Sequence, residues 1–118
     1  MTNKWGIPSR VLRNATKYDI PEPVARYVAR RDKSCVYCKL RFTIGARSRN
    51  SLASWEHMDG DSEKHPRVWN IALCCGRCNT SRGPKRLGKW FDSAYCKKNN
   101  IGRQTVAPVI RRYLGRGL

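Results

Sequence analysis

Acidic side chains are scarce in this sequence. Its 118 residues include eight Asp and Glu against 25 Lys and Arg, which gives a formal net charge of +17. A surplus of this size repels itself unless it faces a polyanion, and the usual polyanion is the phosphate backbone of nucleic acid. No segment has the strongly hydrophobic helical face that lying on a membrane surface requires. The charge therefore favours nucleic acid as the partner.

Long apolar runs are absent as well. No stretch approaches the roughly 20 apolar residues that a membrane-spanning helix needs. The first residues, MTNKWGIPSRVLRN, lack the apolar block of a secretory signal. We therefore expect a cytoplasmic protein without a membrane segment. No internal repeat is present, and the length suits one small domain over residues 1–118, whose modest core needs a further stabilising element.

The apolar patterns predict an α+β domain in which helices flank a β-hairpin. Two apolar stretches of strand length are separated by a polar segment with Gly60 and Pro66, which predicts a hairpin and its loop. Apolar residues at helical spacing stand on both sides of it. The expected parts are a basic N-terminal arm and helix (1–32), a central unit with the hairpin and a short helical turn (33–86), and C-terminal helices (87–118).

The expected elements have definite bounds. A helix over 21–32 begins with prolines and has Val24, Tyr27 and Val28 on one face. Pro108 marks either a kink or the first turn of the last helix. The other expected elements are a short helix in SRVLRNATK, strands over 51–57 and 69–75, a helical turn over 76–83, and helices over 84–96 and 104–117.

Six cysteines in a chain without a secretory signal are either disulfides or metal ligands, and their spacing decides. Two C-x2-C motifs, CVYC and CGRC, are present. Each motif lets two thiolates meet one ion, and together they complete a tetrahedral Zn²⁺ site with no open position. Such a site is structural and supplies the stabilising element. The expected ligands are Cys35, Cys38, Cys75 and Cys78.

The two remaining cysteines need a separate interpretation. Cys74 precedes the second motif, and its spacing to Cys78 would also allow a shared ion. The two-residue spacing favours Cys75, so Cys74 is expected to point from its strand into the apolar core. Cys96 stands alone in a predicted helix and is expected to pack there without binding metal.

Four of the eight acidic residues fall within residues 56–63, beside one of only two histidines. Glu56 and His57 end the first predicted strand. Neighbouring side chains on a strand point to opposite faces, so Glu56 and His57 can enter one pocket only where the strand turns into the loop. Asn70 begins the second strand, and Asn79 follows the last expected zinc ligand. A carboxylate and an amide oxygen suit a hard divalent cation, and a neutral histidine beside it can deprotonate a water aimed at phosphorus.

At these residues the chain resembles the HNH nuclease family, whose sites have the ββα-metal architecture. The resemblance covers about residues 33–86 and depends on CVYC, WEH, WNIALCCGRCN and the basic SRGPK. It implies a metal-dependent DNA endonuclease of restriction or phage type that hydrolyses phosphodiester bonds, encoded by a bacterium or a phage. It also implies a structural Zn²⁺ and a catalytic Mg²⁺ or Mn²⁺.

The resemblance assigns roles to four residues. His57 matches the general base that activates water, and Asn70 matches the residue that holds the histidine ring. Glu56 and Asn79 match ligands of the catalytic cation, although many relatives have Asp at the first of these positions. The long loop leaves open whether Asp59 or His65 joins the metal shell.

Basic residues follow the expected site closely and are expected to contact the backbone of double-stranded DNA. One such unit has one active site, so cutting both strands takes two copies, which a homodimer would supply. The rival interpretation is a non-catalytic zinc-containing module that binds nucleic acid, for which four clustered acids facing a phosphate would be costly. The expected contact residues are Arg77, Arg82, Lys85, Arg86 and Lys89.

Overall fold

The computed structural model describes residues 9–42, 48–59 and 66–116. In these residues the fold is mixed α+β, with six helices and one two-stranded antiparallel sheet. A short 3₁₀ turn, Arg49–Ser51, precedes the sheet. The elements are α1 (Ser9–Lys17), α2 (Glu22–Arg31), β1 (Ala53–His57), β2 (Ile71–Cys75), α3 (Gly76–Arg82), α4 (Leu87–Trp90), α5 (Ala94–Lys98) and α6 (Pro108–Gly115).

The predicted hairpin is confirmed, and each strand begins two residues later than expected. In its register Ala53 pairs with Cys75 at one end and His57 pairs with Ile71 at the other. The hairpin therefore separates the second cysteine motif from the histidine by the full length of both strands. Residues 60–65 of the loop, which include the candidate ligand His65, lie outside the described residues.

Both faces of the hairpin are covered. All five residues of β2 are buried, because the side chains of a strand alternate between two faces and each face here packs against helices or turns. We call these the α1–α2 face and the α3–α6 face. The apolar cluster on the α1–α2 face includes Val11, Ala15, Val28, Trp55 and Leu73, and that on the α3–α6 face includes Tyr37, Met58, Cys74, Trp90 and Ile110.

Helix α2 packs on the hairpin through small side chains. Its buried residues are Ala25, Val28 and Ala29, so the predicted face is wrong at Tyr27, whose side chain is 55% exposed. The guanidinium of Arg31 lies 5.9 Å from the Tyr27 ring centroid. Alanine at two of the three contact positions lets the helix backbone approach the sheet closely, which leaves the large ring outside.

The end of α2 is tied to the start of β2. Asp32 is buried, and its Oδ2 accepts a hydrogen bond from the Leu73 backbone N at 3.0 Å. Arg31 pairs with Asp32 and donates to the carbonyl oxygens of Val68 and Ile71. These bonds satisfy polar groups that would be costly to bury alone. They fix the approach of the chain to the second strand.

The predicted helix over 84–96 is two short helices. Residues between Trp90 and Ala94 leave the helical path, and the side chain of Ser93 caps α5 by accepting from the Cys96 backbone N at 3.2 Å. The break lets both Trp90 and Cys96 become fully buried. The last helix begins at Pro108, in its first turn, rather than at residue 104.

The first cysteine motif forms a knuckle, a tight turn closed by a bridge between Ser34 and Arg41. The Val36 backbone N donates to the Leu73 carbonyl at 3.2 Å, and the Val36 carbonyl accepts from the Ala107 backbone N at 2.9 Å. The knuckle is thereby attached both to β2 and to the residue that precedes α6.

Candidate functional site

The four predicted cysteine ligands converge at one end of the hairpin. Their sulfur atoms all lie within 4.8 Å of one another. Two thiolates bound tetrahedrally at about 2.3 Å stand about 3.8 Å apart, and the Sγ atoms of Cys38 and Cys75 are separated by 3.7 Å. The number, type and spacing of these donors fit a metal ion such as zinc.

The choice between neighbouring cysteines is also settled by geometry. The sulfur of Cys75 belongs to the group of four, whereas Cys74 is fully buried in the core of the α3–α6 face. Cys96 packs in the same core from α5. Burial, followed by the nearby charge of Glu56, raises the pKa of the Cys74 thiol, and burial raises that of Cys96. Both thiols behave as apolar packing groups, as predicted.

The sulfur atoms have polar support from the surrounding chain. The backbone N atoms of Tyr37 and Cys38 donate to the Sγ of Cys35 at 3.4 and 3.5 Å. The hydroxyl of Tyr95 lies 3.2 Å from the Sγ of Cys78. Donors of this kind orient thiolate ligands and adjust their charge.

Hydrogen bonds among the thiols of the cluster shift pKa values in different directions. Hydrogen bonds from Cys35 and Cys78 lower the pKa of Cys75 to about 2. The hydrogen bond between Cys35 and Cys75 raises the pKa of Cys35 to about 12. Burial and the hydrogen bond with Cys78 raise the pKa of Tyr95. Crowded thiols resist further ionisation unless a cation compensates them, which is what a bound metal ion provides.

At the opposite end of the hairpin, Glu56 and His57 lie side by side in the chain but have different surroundings. Glu56 is 5% exposed and points toward Tyr37 on the α3–α6 face. His57 is partly exposed and meets the ring of Tyr18, which follows α1, on the other face. The alternation of the strand persists to its last residue, so the structure does not bring the two side chains into one pocket at the strand end, in contrast to the expectation from the sequence pattern.

The carboxylate of Glu56 belongs to a buried network. Its Oε2 accepts from Nη1 of Arg82 at 2.8 Å and from the hydroxyl of Tyr37 at 2.5 Å. Arg82 also donates to the carbonyl oxygens of Met58 and Lys85. None of the described residues donates to Oε1 of Glu56, so this is the oxygen that it can offer to a cation. Its role as a metal ligand stays a prediction.

The pKa values of this network show mutual stabilisation. Burial alone would lower the pKa of Arg82, but the carboxylate of Glu56 raises it above its usual value. Burial, and then the charge of Glu56, raises the pKa of Tyr37 well above its usual value. The network therefore holds one compensated ion pair and one neutral phenol in the interior.

Asn70 and Asp59 close the loop end of the hairpin. The Asn70 side chain accepts from the Arg67 backbone N at 2.7 Å and donates to Oδ2 of Asp59 at 3.0 Å. Oδ1 of Asp59 accepts from the Tyr113 hydroxyl at 2.7 Å. Burial and this hydrogen bond raise the pKa of Tyr113 to about 12. Since the Asn70 carbonyl accepts from the Met58 backbone N at 3.0 Å, both strands are joined beyond the sheet.

The imidazole of His57 is held differently from these groups. Its ring meets that of Tyr18 edge to face, with centroids 6.2 Å apart. Its Nε2 is buried and has no hydrogen-bond partner among the described residues. Leaving such a nitrogen without a partner costs about 1–3 kcal/mol. The contact with Tyr18 holds the ring in place, while no described group occupies its Nε2.

The other predicted site residues lie on or just after α3. Asn79 is partly exposed in the helix, one residue after the predicted ligand Cys78. Arg82 differs from the other predicted DNA contacts because it is 4% exposed and paired with Glu56. The predicted contacts with exposed side chains are Arg77, Lys85, Arg86 and Lys89.

Two residues of the polar cluster are not identified by the sequence patterns. Tyr37 lies inside the CVYC motif, where its flanking cysteines draw attention to the metal site, yet its hydroxyl bonds Glu56. Tyr113 is 54 positions from its partner Asp59. The helical apolar spacing places Tyr113 in the core but gives no indication of what its hydroxyl contacts.

Comparisons of the chain with protein-family models, with curated proteins and with solved structures found no match. Across the described ranges, no helix combines the length and apolar character needed to cross a membrane.

Proposed function

We propose that the protein is a metal-dependent DNA endonuclease of the HNH kind, with a structural zinc ion. The observation that carries the proposal is a continuous unit in which β1, β2 and α3 follow one another and the cysteine cluster attaches α3 to the knuckle. The resemblance to the HNH nuclease family predicts this order of elements. At the opposite end of the hairpin, Nε2 of His57 has no hydrogen-bond partner among the described residues, so no such bond has to break before it accepts a proton.

His57 is the proposed general base. A neutral imidazole takes a proton from water as the water oxygen bonds to phosphorus, and the bond from phosphorus to the 3′ oxygen breaks. The leaving 3′ oxygen takes a proton from solvent water, His57 returns its proton to solvent, and the products are a 5′-phosphate and a 3′-hydroxyl. Asn70 has a positioning role, since it joins the two strands next to His57.

Glu56 and Asn79 are the residues proposed to hold Mg²⁺ or Mn²⁺. Such an ion, when bound, stabilises negative charge on the phosphate and on the leaving oxygen. Oxygen donors of these types suit both ions. Oε2 of Glu56 accepts hydrogen bonds from Arg82 and Tyr37. Its other oxygen, Oε1, has no donor among the described residues and is the atom proposed to bind the cation.

Double-stranded DNA is the proposed substrate. The net charge of +17 favours a polyanion, and exposed cations follow the cysteine cluster at Arg77, Lys85, Arg86 and Lys89. A restriction-type or phage-type enzyme and a homodimer are parts of the same proposal, since cleavage of both strands needs two sites.

A plasmid assay tests the proposal. Supercoiled plasmid incubated with the protein and Mg²⁺ or Mn²⁺ should be nicked or linearised, and His57→Ala should abolish this while zinc content and DNA binding are unchanged. Asn79→Ala should weaken cleavage, whereas Thr80→Ala, an exposed neighbour on α3, should leave it intact. Plasmid that stays supercoiled with either ion would contradict the proposal.

A non-catalytic zinc module that binds nucleic acid is the second candidate. One observation favours it: Glu56 and Asp59, the two acids of the 56–63 cluster that the structure describes, both accept hydrogen bonds from protein side chains. Carboxylates held in this way stabilise the fold and are less open to a cation. Tight DNA binding without cleavage, unchanged in His57→Ala, would identify this candidate.

A further inference from the structure

A cavity of about 570 Å³ opens on the α3–α6 face, between the end of β1, helix α4 and helix α6. Its volume lies within the range of about 300–1,000 Å³ that is common for small-ligand sites. The cavity has a cationic rim and a floor with apolar and aromatic groups. Two further charged groups line it, Asp59 and Arg82, and both are already held by protein partners: Asp59 by Asn70 and Tyr113, and Arg82 by Glu56.

Three cations form the rim: Arg86, Lys89 and Arg103. All three side chains are exposed, and none forms an ion pair with a carboxylate in the described part of the chain. A Cβ at Gly88 would lie 3.3 Å from Nη2 of Arg103. The absence of a side chain there lets this guanidinium lie close to α4, so cations from two segments meet at one opening.

The floor presents apolar and aromatic surface. It includes Leu114, which is partly exposed, and the edges of three largely buried side chains, Met58, Leu87 and Tyr113. This ring is stacked against Trp69, with centroids 6.5 Å apart and planes inclined by 25°. The combination suits a ligand that carries a flat apolar ring at one end and a dense negative charge at the other.

We propose that the cavity binds one unpaired nucleotide of a DNA strand, with its phosphate at the rim and its base on the floor. This inference rests on the proposed function, because it specifies the kind of DNA that the enzyme prefers. Paired bases in a duplex are stacked, and the duplex presents a convex row of phosphates. The rim cations could bind these phosphates without any base reaching the floor. An unpaired base is free to enter a concave site, since little stacking must be broken.

A binding experiment without added divalent metal tests the inference independently of cleavage. Fluorescence anisotropy would compare three short labelled duplexes: one fully paired, one with a single extra unpaired nucleotide, and one with an abasic unit at that place. The duplex with the unpaired nucleotide should bind about tenfold more tightly than the paired one. The abasic duplex should lose this advantage, because it has no base for the floor.

Variants assign the preference to the rim. Arg103→Ala should remove most of the advantage of the unpaired nucleotide and reduce the salt dependence of its binding. Arg13→Ala is the matched control, since Arg13 is an exposed arginine of α1 on the other face of the hairpin. It should preserve the preference.

Equal affinity for the paired and unpaired duplexes, an advantage retained by the abasic duplex, or a preference unchanged by Arg103→Ala would each overturn the inference. Failure of the nuclease proposal has a different signature, which is intact plasmid with Mg²⁺ and Mn²⁺.

Discussion

The two ends of the β-hairpin carry two different kinds of site. At the Cys75 end, four identical donors lie within 4.8 Å of one another. At the His57 end, groups of different chemistry each contact a different partner, among them Arg82 for Glu56 and Tyr113 for Asp59. A site made of identical ligands in two short motifs is recognisable from spacing alone. A mixed site depends on which distant residues the fold brings beside it.

The two ends also differ in how their charge is compensated. Protein groups neutralise the carboxylate of Glu56 through Arg82. The four cysteines instead share hydrogen bonds, which lower the pKa of Cys75, and full ionisation of the group requires a cation. The cysteine end should therefore depend on a metal ion for its stability, and the His57 end on its internal ion pair.

Loss of a cysteine ligand should have the largest effect. Cys38→Ser should abolish the cooperative unfolding transition, because zinc binding at such sites contributes about 10–16 kcal/mol and a small domain is stable by about 5–15 kcal/mol. Circular dichroism melts and zinc content per chain measure this. Cys74→Ala is the matched control: it should keep one zinc ion and a cooperative transition with a lower midpoint. A native melt for Cys38→Ser would refute a structural role for the metal.

This contrast explains what the sequence could predict. The cysteine ligands and the antiparallel hairpin follow from local spacing and alternation, whereas proline geometry leaves open whether Pro108 kinks the last helix or begins it. The buried pairing of Glu56 does not, since its partners Tyr37 and Arg82 lie 19 and 26 positions away on different elements. The break between α4 and α5 does not follow from the sequence for a related reason: the helical spacing over 84–96 is continuous, and the cap at Ser93 and tertiary packing interrupt it.

Breaking the ion pair tests the His57 end by itself. Arg82→Met should destabilise the protein by about 3–5 kcal/mol, because Glu56 would remain buried without its partner, while zinc content should be unchanged. Urea unfolding measures the difference. Adding Glu56→Gln should recover much of the loss, since no uncompensated charge remains.

The exposed pair of Glu22 and Arg26 on α2 supplies the control for this experiment. Glu22→Gln should cost less than about 1 kcal/mol, because solvent screens an exposed pair. Similar losses for Arg82→Met and Glu22→Gln would mean that the interior pair is not desolvated as the structure indicates.

The smallest effects come from one matched substitution at each end. Tyr113→Phe removes the donor to Asp59 and should cost about 1.5 kcal/mol in urea unfolding near neutral pH. The pKa of Tyr113 is raised from 10.0 to about 12. The contribution of the Tyr113 hydroxyl to the free energy of unfolding is therefore fully present below pH 10. It is lost as the pH rises toward 12, because the unfolded chain releases its proton at a lower pH than the folded protein does. The difference in the free energy of unfolding between the wild type and Tyr113→Phe should therefore decrease as the pH rises from 10 toward 12.

Tyr95→Phe makes the same chemical change at the cysteine end, where the hydroxyl lies 3.2 Å from the Sγ of Cys78. The ring stacked on Trp90 is retained, so packing should be preserved. Loss of a hydrogen bond to a metal ligand typically lowers metal affinity at least about tenfold, and competition with a chelating dye would measure it. Tyr113→Phe should leave zinc affinity unchanged. If both variants lowered zinc affinity equally, the two ends of the hairpin would be energetically coupled through β2. The conclusion that the two sites are independent would then be wrong.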